Sequence, residues 1–108
     1  MALERLGKTR ESSVQDYLIA EVHRHGGKAV KLVADSSNGE PDVLLSGPWW
    51  SCSQMMLVEV KREGELPTDL QQARAAEWRA AGARVAWIDR KSLVGRLLAV
   101  GEGLPWPT

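Results

Sequence analysis

Three charged residues stand where apolar strands would exclude them. Asp42 follows a proline at the mouth of the run in Asn38-Gly39-Glu40-Pro41-Asp42-Val43-Leu44-Leu45, and Glu59 and Lys61 alternate within Leu57-Val58-Glu59-Val60-Lys61. A buried charge costs several kcal/mol unless it is paired or bound to metal, so these residue types need a joint explanation. Residues two apart in a strand share a face, which points Glu59 and Lys61 together while Val58 and Val60 turn the opposite way into apolar packing. If the two runs pair as a hairpin, Asp42 comes close to both. Two carboxylates so placed repel each other unless a proton or cation intervenes, and hard oxygen donors with incomplete coordination suit Mg²⁺ or Mn²⁺. Such an ion polarises a phosphodiester and acidifies water, and an ammonium beside it offsets developing negative charge. The expected chemistry is phosphodiester hydrolysis.

The elements that must position these groups follow from the hydrophobic period. From about Thr9 to His25, Val14, Leu18, Ile19 and Val22 recur at helical spacing, and Gly26-Gly27 supplies a stop. Lys28 to Val33 reads as a short strand, Asp42 to Leu45 as a second after a Ser-Asn-Gly-Glu-Pro turn, and Met55 to Lys61 as a third, with SGPWWSCSQ as the hairpin tip. Thr68 to Ala81 is rich in helix formers and closed by Gly82, Arg84 to Ile88 is a strand, and Ser92 to Val100 is a short last helix with Leu93, Val94, Leu97 and Leu98 inward. The order αβββαβα predicts an α/β domain around one central mixed sheet flanked by helices.

With 108 residues the chain is expected to form one domain over its whole length, with a core small enough to gain from association. It has no long apolar stretch, its start is charged where a signal peptide needs an apolar region, and Cys52 is its only cysteine. A cytoplasmic protein with no internal disulfide is expected, and any metal must be held mainly by oxygen. The formal net charge is zero, which argues against a simple polycation coating nucleic acid. Carboxylates that hold a divalent cation no longer repel phosphate, however, leaving Lys28, Lys31, Lys61, Arg62, Arg74 and Arg84 to be felt locally.

Gly39-Glu40-Pro41-Asp42, then Glu59-Val60-Lys61, then Gln71 in the second helix resembles the PD-(D/E)XK nuclease superfamily, specifically its virus-type replication-repair nuclease (VRR-NUC) domains. The likeness runs from about Glu11 to Ile88. It implies a metal held by Asp42, Glu59 and the Val60 carbonyl, a catalytic Lys61, and Gln71 as the helix glutamine; Lys31 matches a basic position common in phage members. Related junction-resolving nucleases have a glutamate on helix one, where this chain has Gln15. Glu11, one turn earlier on the same face, is favoured as the functional acid and a further metal ligand, with Gln15 beside it.

Other readings stay open at single positions. Thr68-x-x-Gln71 is also a capping box, and Ser12-x-x-Gln15 could be one, which would leave Glu11 outside the helix. Tyr17, His23 and His25 read as surface or edge groups, and Trp78 and Trp87 as core. Trp49-Trp50 fit a subunit contact, a wedge against bases, or packing on the C-terminal LPWPT tail; the subunit contact is preferred. The resemblance implies a Mg²⁺- or Mn²⁺-dependent DNA endonuclease, homodimeric and acting on branched DNA in the manner of a Holliday-junction resolvase; Lys28, Lys31, Arg62, Arg74 and Gln15 are the candidate DNA contacts. No membrane and no organic cofactor are expected. A restriction-type endonuclease on linear duplex and a catalytically silent DNA-binding or adaptor module are the rival readings.

Overall fold

The computed structural model describes residues 10–32, 38–49 and 55–107. Helix α1 spans Glu11–Arg24 and buries Val14, Leu18 and Val22, a stripe at four-residue spacing. It ends at His25, and Gly26, at φ 88°, turns the chain into the sheet. Three strands follow, β1 (Lys28–Lys31), β2 (Val43–Ser46) and β3 (Met56–Val60); then α2 (Asp69–Ala80), β4 (Arg84–Ile88), a 3₁₀ turn at Lys91–Leu93, and α3 (Val94–Val100). The sheet runs β1-β2-β3-β4, antiparallel except for the parallel pair β3–β4 that α2 connects. The expected order and the mixed sheet are both present. The last expected helix is divided, its first turn being 3₁₀.

Strand alternation sorts the side chains into two faces. Val43, Leu45, Met56, Val58, Val60, Ala86 and Ile88 point to one side, where they meet the α1 stripe and Val94, Leu97 and Leu98 of α3 in a single buried cluster. The other side receives α2, whose own buried residue is Ala75. Helix α2 is started by a complete capping box: the Thr68 side chain accepts from the Gln71 N–H, and the Gln71 side chain accepts from the Thr68 N–H.

Two tryptophans correct or refine the sequence reading. Trp87 is buried as expected, towards the end of β4, but Trp78 is exposed to 42%. Helix α2 approaches the sheet through the small Ala75, so the bulkier indole one turn later lies at the rim, where its N–H has a carboxylate partner. The C-terminal tail lies along the free edge of β4. The Leu104 N–H donates to the Trp87 carbonyl at 2.8 Å, the Trp87 indole donates to the Pro105 carbonyl at 3.1 Å, and Trp106 packs on Trp87 with ring centroids 6.4 Å apart. This covers part of an edge that would otherwise offer unpaired backbone groups.

Candidate active site

The β2–β3 register pairs Val43 with Val58, so one step back along β2 brings Asp42 opposite Glu59. Asp42 is fixed from both sides: its N–H donates to the Val58 carbonyl at 3.0 Å and its carbonyl accepts from the Leu32 N–H at 2.8 Å. Its side chain turns along the end of the sheet, where Oδ2 accepts the Val60 N–H at 2.8 Å. The N–H and C=O of one strand residue point to the same side, which directs the Val60 carbonyl towards Asp42 as well. Glu59 and Lys61 are both buried, 3% and 9% exposed.

Gln71 reaches down from the first turn of α2 and joins them. Its Nε2 donates to Glu59 Oε2 at 2.9 Å, and its Oε1 accepts from Lys61 Nζ at 3.2 Å and from the Thr68 N–H at 2.8 Å. The two readings of Gln71 are therefore both realised in one rotamer. The cap bond holds the amide oxygen, and the amide in turn orients the acid and the amine.

The electrostatics of the pair follow from burial. Desolvation and then the neighbouring Asp42 push the Glu59 carboxyl up to about 9, and the two carboxyl groups are close enough to share a proton. Asp42 is also raised, by burial, with the Val60 N–H and the Lys61 charge working against the rise. A hard divalent cation fits this donor set: two crowded carboxylates and a carbonyl, all oxygen, where a cation would replace the shared proton. Glu11 is the first residue of α1, after Arg10 at the N-cap with no side-chain cap, so a Ser12 cap that would expel it from the helix is not formed. Its carboxyl is raised by burial and then by Asp42, with Lys61 opposing, which places it in the field of the site. It does not close a cage: among the described residues no three His, Cys, Asp or Glu side chains stand close enough to hold an ion unaided. Gln15 is half-buried one turn further along α1.

The basic residues divide. Lys28 and Arg62 are exposed, and exposed Lys31 lies 3.2 Å from Asp16. Arg74 is engaged within the fold, donating from Nε to the Asn38 carbonyl at 3.0 Å and from a terminal nitrogen to Glu77 at 3.1 Å. Trp49 is likewise engaged. Its indole packs partly buried against the core and donates to the His25 carbonyl at 3.1 Å, and a Cβ on Gly27 or Gly47 would run into the ring. Trp50 lies outside the described residues.

Sequence reasoning missed three residues around the site. Asp89, 3% exposed at the end of β4, accepts the Gly64 N–H at 3.0 Å and pairs with Arg90, whose hydrogen bonds hold its carboxyl below the usual range. It anchors the turn that follows Lys61; an acid directly after the apolar run Val85 to Ile88 was the available signal. Glu40 and Trp78 bond to each other at 2.8 Å across 38 residues of sequence, a pairing with no local signal.

Known proteins resemble this chain in sequence and in fold. No family model matches the chain. A protein of Acyrthosiphon pisum secondary endosymbiont phage 1, described as "Putative nuclease p44", is 36% identical over 91 residues, covering 84% of this chain and 95% of that protein. A solved structure described as "VRR_NUC domain" superposes with a TM-score of 0.68 at 29% identity, over 82% of this chain and 92% of that one. With Asp42, Glu59, Lys61 and Gln71 gathered at one end of the sheet, this chain belongs to the VRR-NUC nuclease family.

Proposed function

We propose that the chain is a Mg²⁺- or Mn²⁺-dependent DNA endonuclease that acts as a homodimer on branched DNA. The observation behind this reading is half-buried Asp42 beside buried Glu59, with the Gln71 amide bridging Glu59 and the Lys61 amine. Asp42, Glu59 and the Val60 carbonyl are the proposed metal ligands, with Glu11 acting at one remove through water. The bound ion supplies Lewis acidity at the scissile phosphate and lowers the pKa of the attacking water.

The rest of the reaction falls to the chain's own groups. Lys61, held in place by Gln71, offsets charge that builds on the phosphate oxygens as the water attacks in line. Gln71 keeps Glu59 and Lys61 apart and correctly turned, so neither has to reorganise during the step. Lys28, Lys31 and Arg62 are the proposed backbone contacts, with Gln15 beside Glu11 at the DNA side of the site; Lys31 exchanges its Asp16 partner for a phosphate.

Branched DNA and dimerisation are supported by size and symmetry. The buried cluster occupies one face of the sheet in a chain of 108 residues, a condition under which a second copy adds useful burial. A two-fold pair of sites suits a two-fold junction. Because Trp49 is packed into its own domain, a contact through the tryptophan pair would rest on Trp50.

The test is cleavage of labelled four-way junction and linear duplex of the same sequence, with Mg²⁺, Mn²⁺ or chelator, by wild type, Asp42→Asn and Lys61→Ala. Metal-dependent cutting of the junction by wild type alone is expected. Cutting retained in both variants would sink the mechanism, equal cutting of both substrates would favour the linear-duplex reading, and binding without cutting would favour the adaptor.

A further inference from the structure

The turn that delivers Asp42 is bound to the helix that delivers Gln71 by three separate contacts. Arg74 Nε donates to the Asn38 carbonyl at 3.0 Å and lies 3.8 Å from Glu40 Oε2. The Trp78 indole N–H donates to Glu40 Oε1 at 2.8 Å. Gly39 is buried, at φ 72°, and a Cβ there would stand 2.7 Å from Leu70 Cγ and 3.2 Å from the Gln71 nitrogen, so turn and helix touch backbone to backbone. All the donors lie on one face of α2, at Arg74 and Trp78, four residues apart and in line with the Leu70–Gln71 turn. Arg74 is thus committed to two acceptors of the fold, the Asn38 carbonyl and Glu77, and Trp78 is an exposed indole whose polar end is used.

We propose that Arg74, Trp78 and Glu40 form a clamp that fixes the Asn38–Asp42 turn against α2, so that Asp42 and Gln71 keep their separation across Glu59, and that Arg74 is a positioning residue rather than a phosphate contact. This rests on the nuclease reading of the preceding subsection. The physical basis is that Asp42 and Gln71 belong to segments about thirty residues apart in sequence, and their side chains meet neighbouring residues of β3, Asp42 Oδ2 accepting the Val60 N–H and Gln71 Nε2 donating to Glu59 Oε2. A displacement of either by about 1 Å is of the size that costs on the order of a hundredfold in rate.

The test uses the full chain and Arg74→Ala, Trp78→Phe, their double variant, Glu40→Leu, Glu40→Gln and, for comparison, Arg62→Ala. Thermal melting and circular dichroism first establish that each is folded. Junction binding is then measured in chelator over a series of salt concentrations, Mn²⁺ binding by calorimetry without DNA, and single-turnover cleavage at saturating DNA and Mn²⁺. For a clamp, Arg74→Ala and Trp78→Phe each slow cleavage by about tenfold or more and weaken Mn²⁺ binding, without changing the slope of log K against log salt. The double variant is less impaired than the product of the two, because both act on one turn. Glu40→Gln, which keeps an acceptor for the indole, retains most of the rate that Glu40→Leu loses. Arg62→Ala shows the contrasting pattern, a salt slope reduced by about 0.9.

A reduced slope with undiminished saturating cleavage in Arg74→Ala would overturn the inference, since that is the mark of a phosphate contact. Wild-type rates and Mn²⁺ affinity in all the clamp variants would overturn it alone, leaving the nuclease reading in place. A wild-type chain that neither binds Mn²⁺ nor cuts would overturn that reading and the clamp with it.

Discussion

The two faces of the sheet are built on opposite principles. On the face covered by α1 and α3, Val14, Leu18, Val22, Val43, Val58, Val60, Ile88 and Leu97 are fully buried and all apolar. On the face covered by α2, Glu59 and Lys61 are almost as deeply buried, and what holds them is a chain of hydrogen bonds running through one amide, Gln71. The first face gains stability by exclusion of water. The second gives some up, since two crowded carboxyls and an amine would be replaced by hydrocarbon in a fold selected for stability alone. Val58, Glu59, Val60 and Lys61 belong to consecutive positions of one chain segment, so the period of two alone divides structural from chemical roles.

That contrast predicts opposite outcomes for substitutions a few ångströms apart. Asp42→Asn and Lys61→Ala are expected to lower the cleavage rate by about a hundredfold to a thousandfold or more, on the scale of losing one preorganised electrostatic partner. Asp42→Asn also removes a charge that Glu59 resists, so the metal-free melting temperature should stay level or rise. Leu18→Ala, on the other face, is expected to cost about 2–5 kcal/mol of stability, read by urea unfolding, because it opens a cavity in a fully buried cluster. Its cleavage rate per folded molecule should be little changed. Similar rate losses in both would show that the faces are not independent.

Acidity sharpens the comparison. Glu59 has an ordinary value of 4.5 and is raised to about 9 in the folded chain. Below 4.5 it is protonated whether folded or unfolded; between 4.5 and about 9 the unfolded chain releases the proton and the folded chain keeps it. The folded state then binds more protons, so metal-free stability falls as pH rises through that window. Asp42, raised in the same direction, adds to the fall. Melting temperature in chelator should decline across the window, Glu59→Gln should flatten the decline, and a divalent cation should oppose it. A metal that displaces one proton binds roughly tenfold tighter for each unit of pH in this range, which calorimetry would detect. A metal-free protein whose stability rises over the same window would contradict the shared-proton geometry.

The part of the site legible in the sequence is the part set by strand periodicity. Asp42, Glu59 and Lys61 follow from alternation and from one hairpin register, and the apolar stripes of α1 and β2 to β4 follow from the same rules. What could not be read depends on contacts between distant segments. Trp78 lies on the helical stripe of Ala75, but whether that stripe meets the sheet or its rim depends on how closely α2 approaches, which Ala75 and the buried Gly39 determine. Trp49 needs two glycines from different loops to make room for its ring. Arg74 looks like any exposed helix cation until Asn38 and Glu40 are brought beside it. Glycines at contacts and long side chains at rims are where local pattern has least to say.

Gln71 lies where the structural and chemical principles meet, and the smallest of the predicted effects separates them. Thr68→Ala removes the hydroxyl that accepts the Gln71 N–H and leaves the Gln71 side chain in place; it should cost about 1 kcal/mol, as loss of an N-cap does. Gln71→Ala removes the Thr68 N–H partner at a similar cost, but it also releases Glu59 Oε2 and Lys61 Nζ, which lie in the site itself. Denaturant unfolding should therefore bring the two variants close together, and single-turnover cleavage should set them apart, Thr68→Ala near wild type and Gln71→Ala well below it. If Thr68→Ala loses as much rate as Gln71→Ala, then the cap fixes the amide so firmly that the two roles cannot be separated. The α2 face would then owe its chemistry to the start of a helix as much as to the charges buried beneath it.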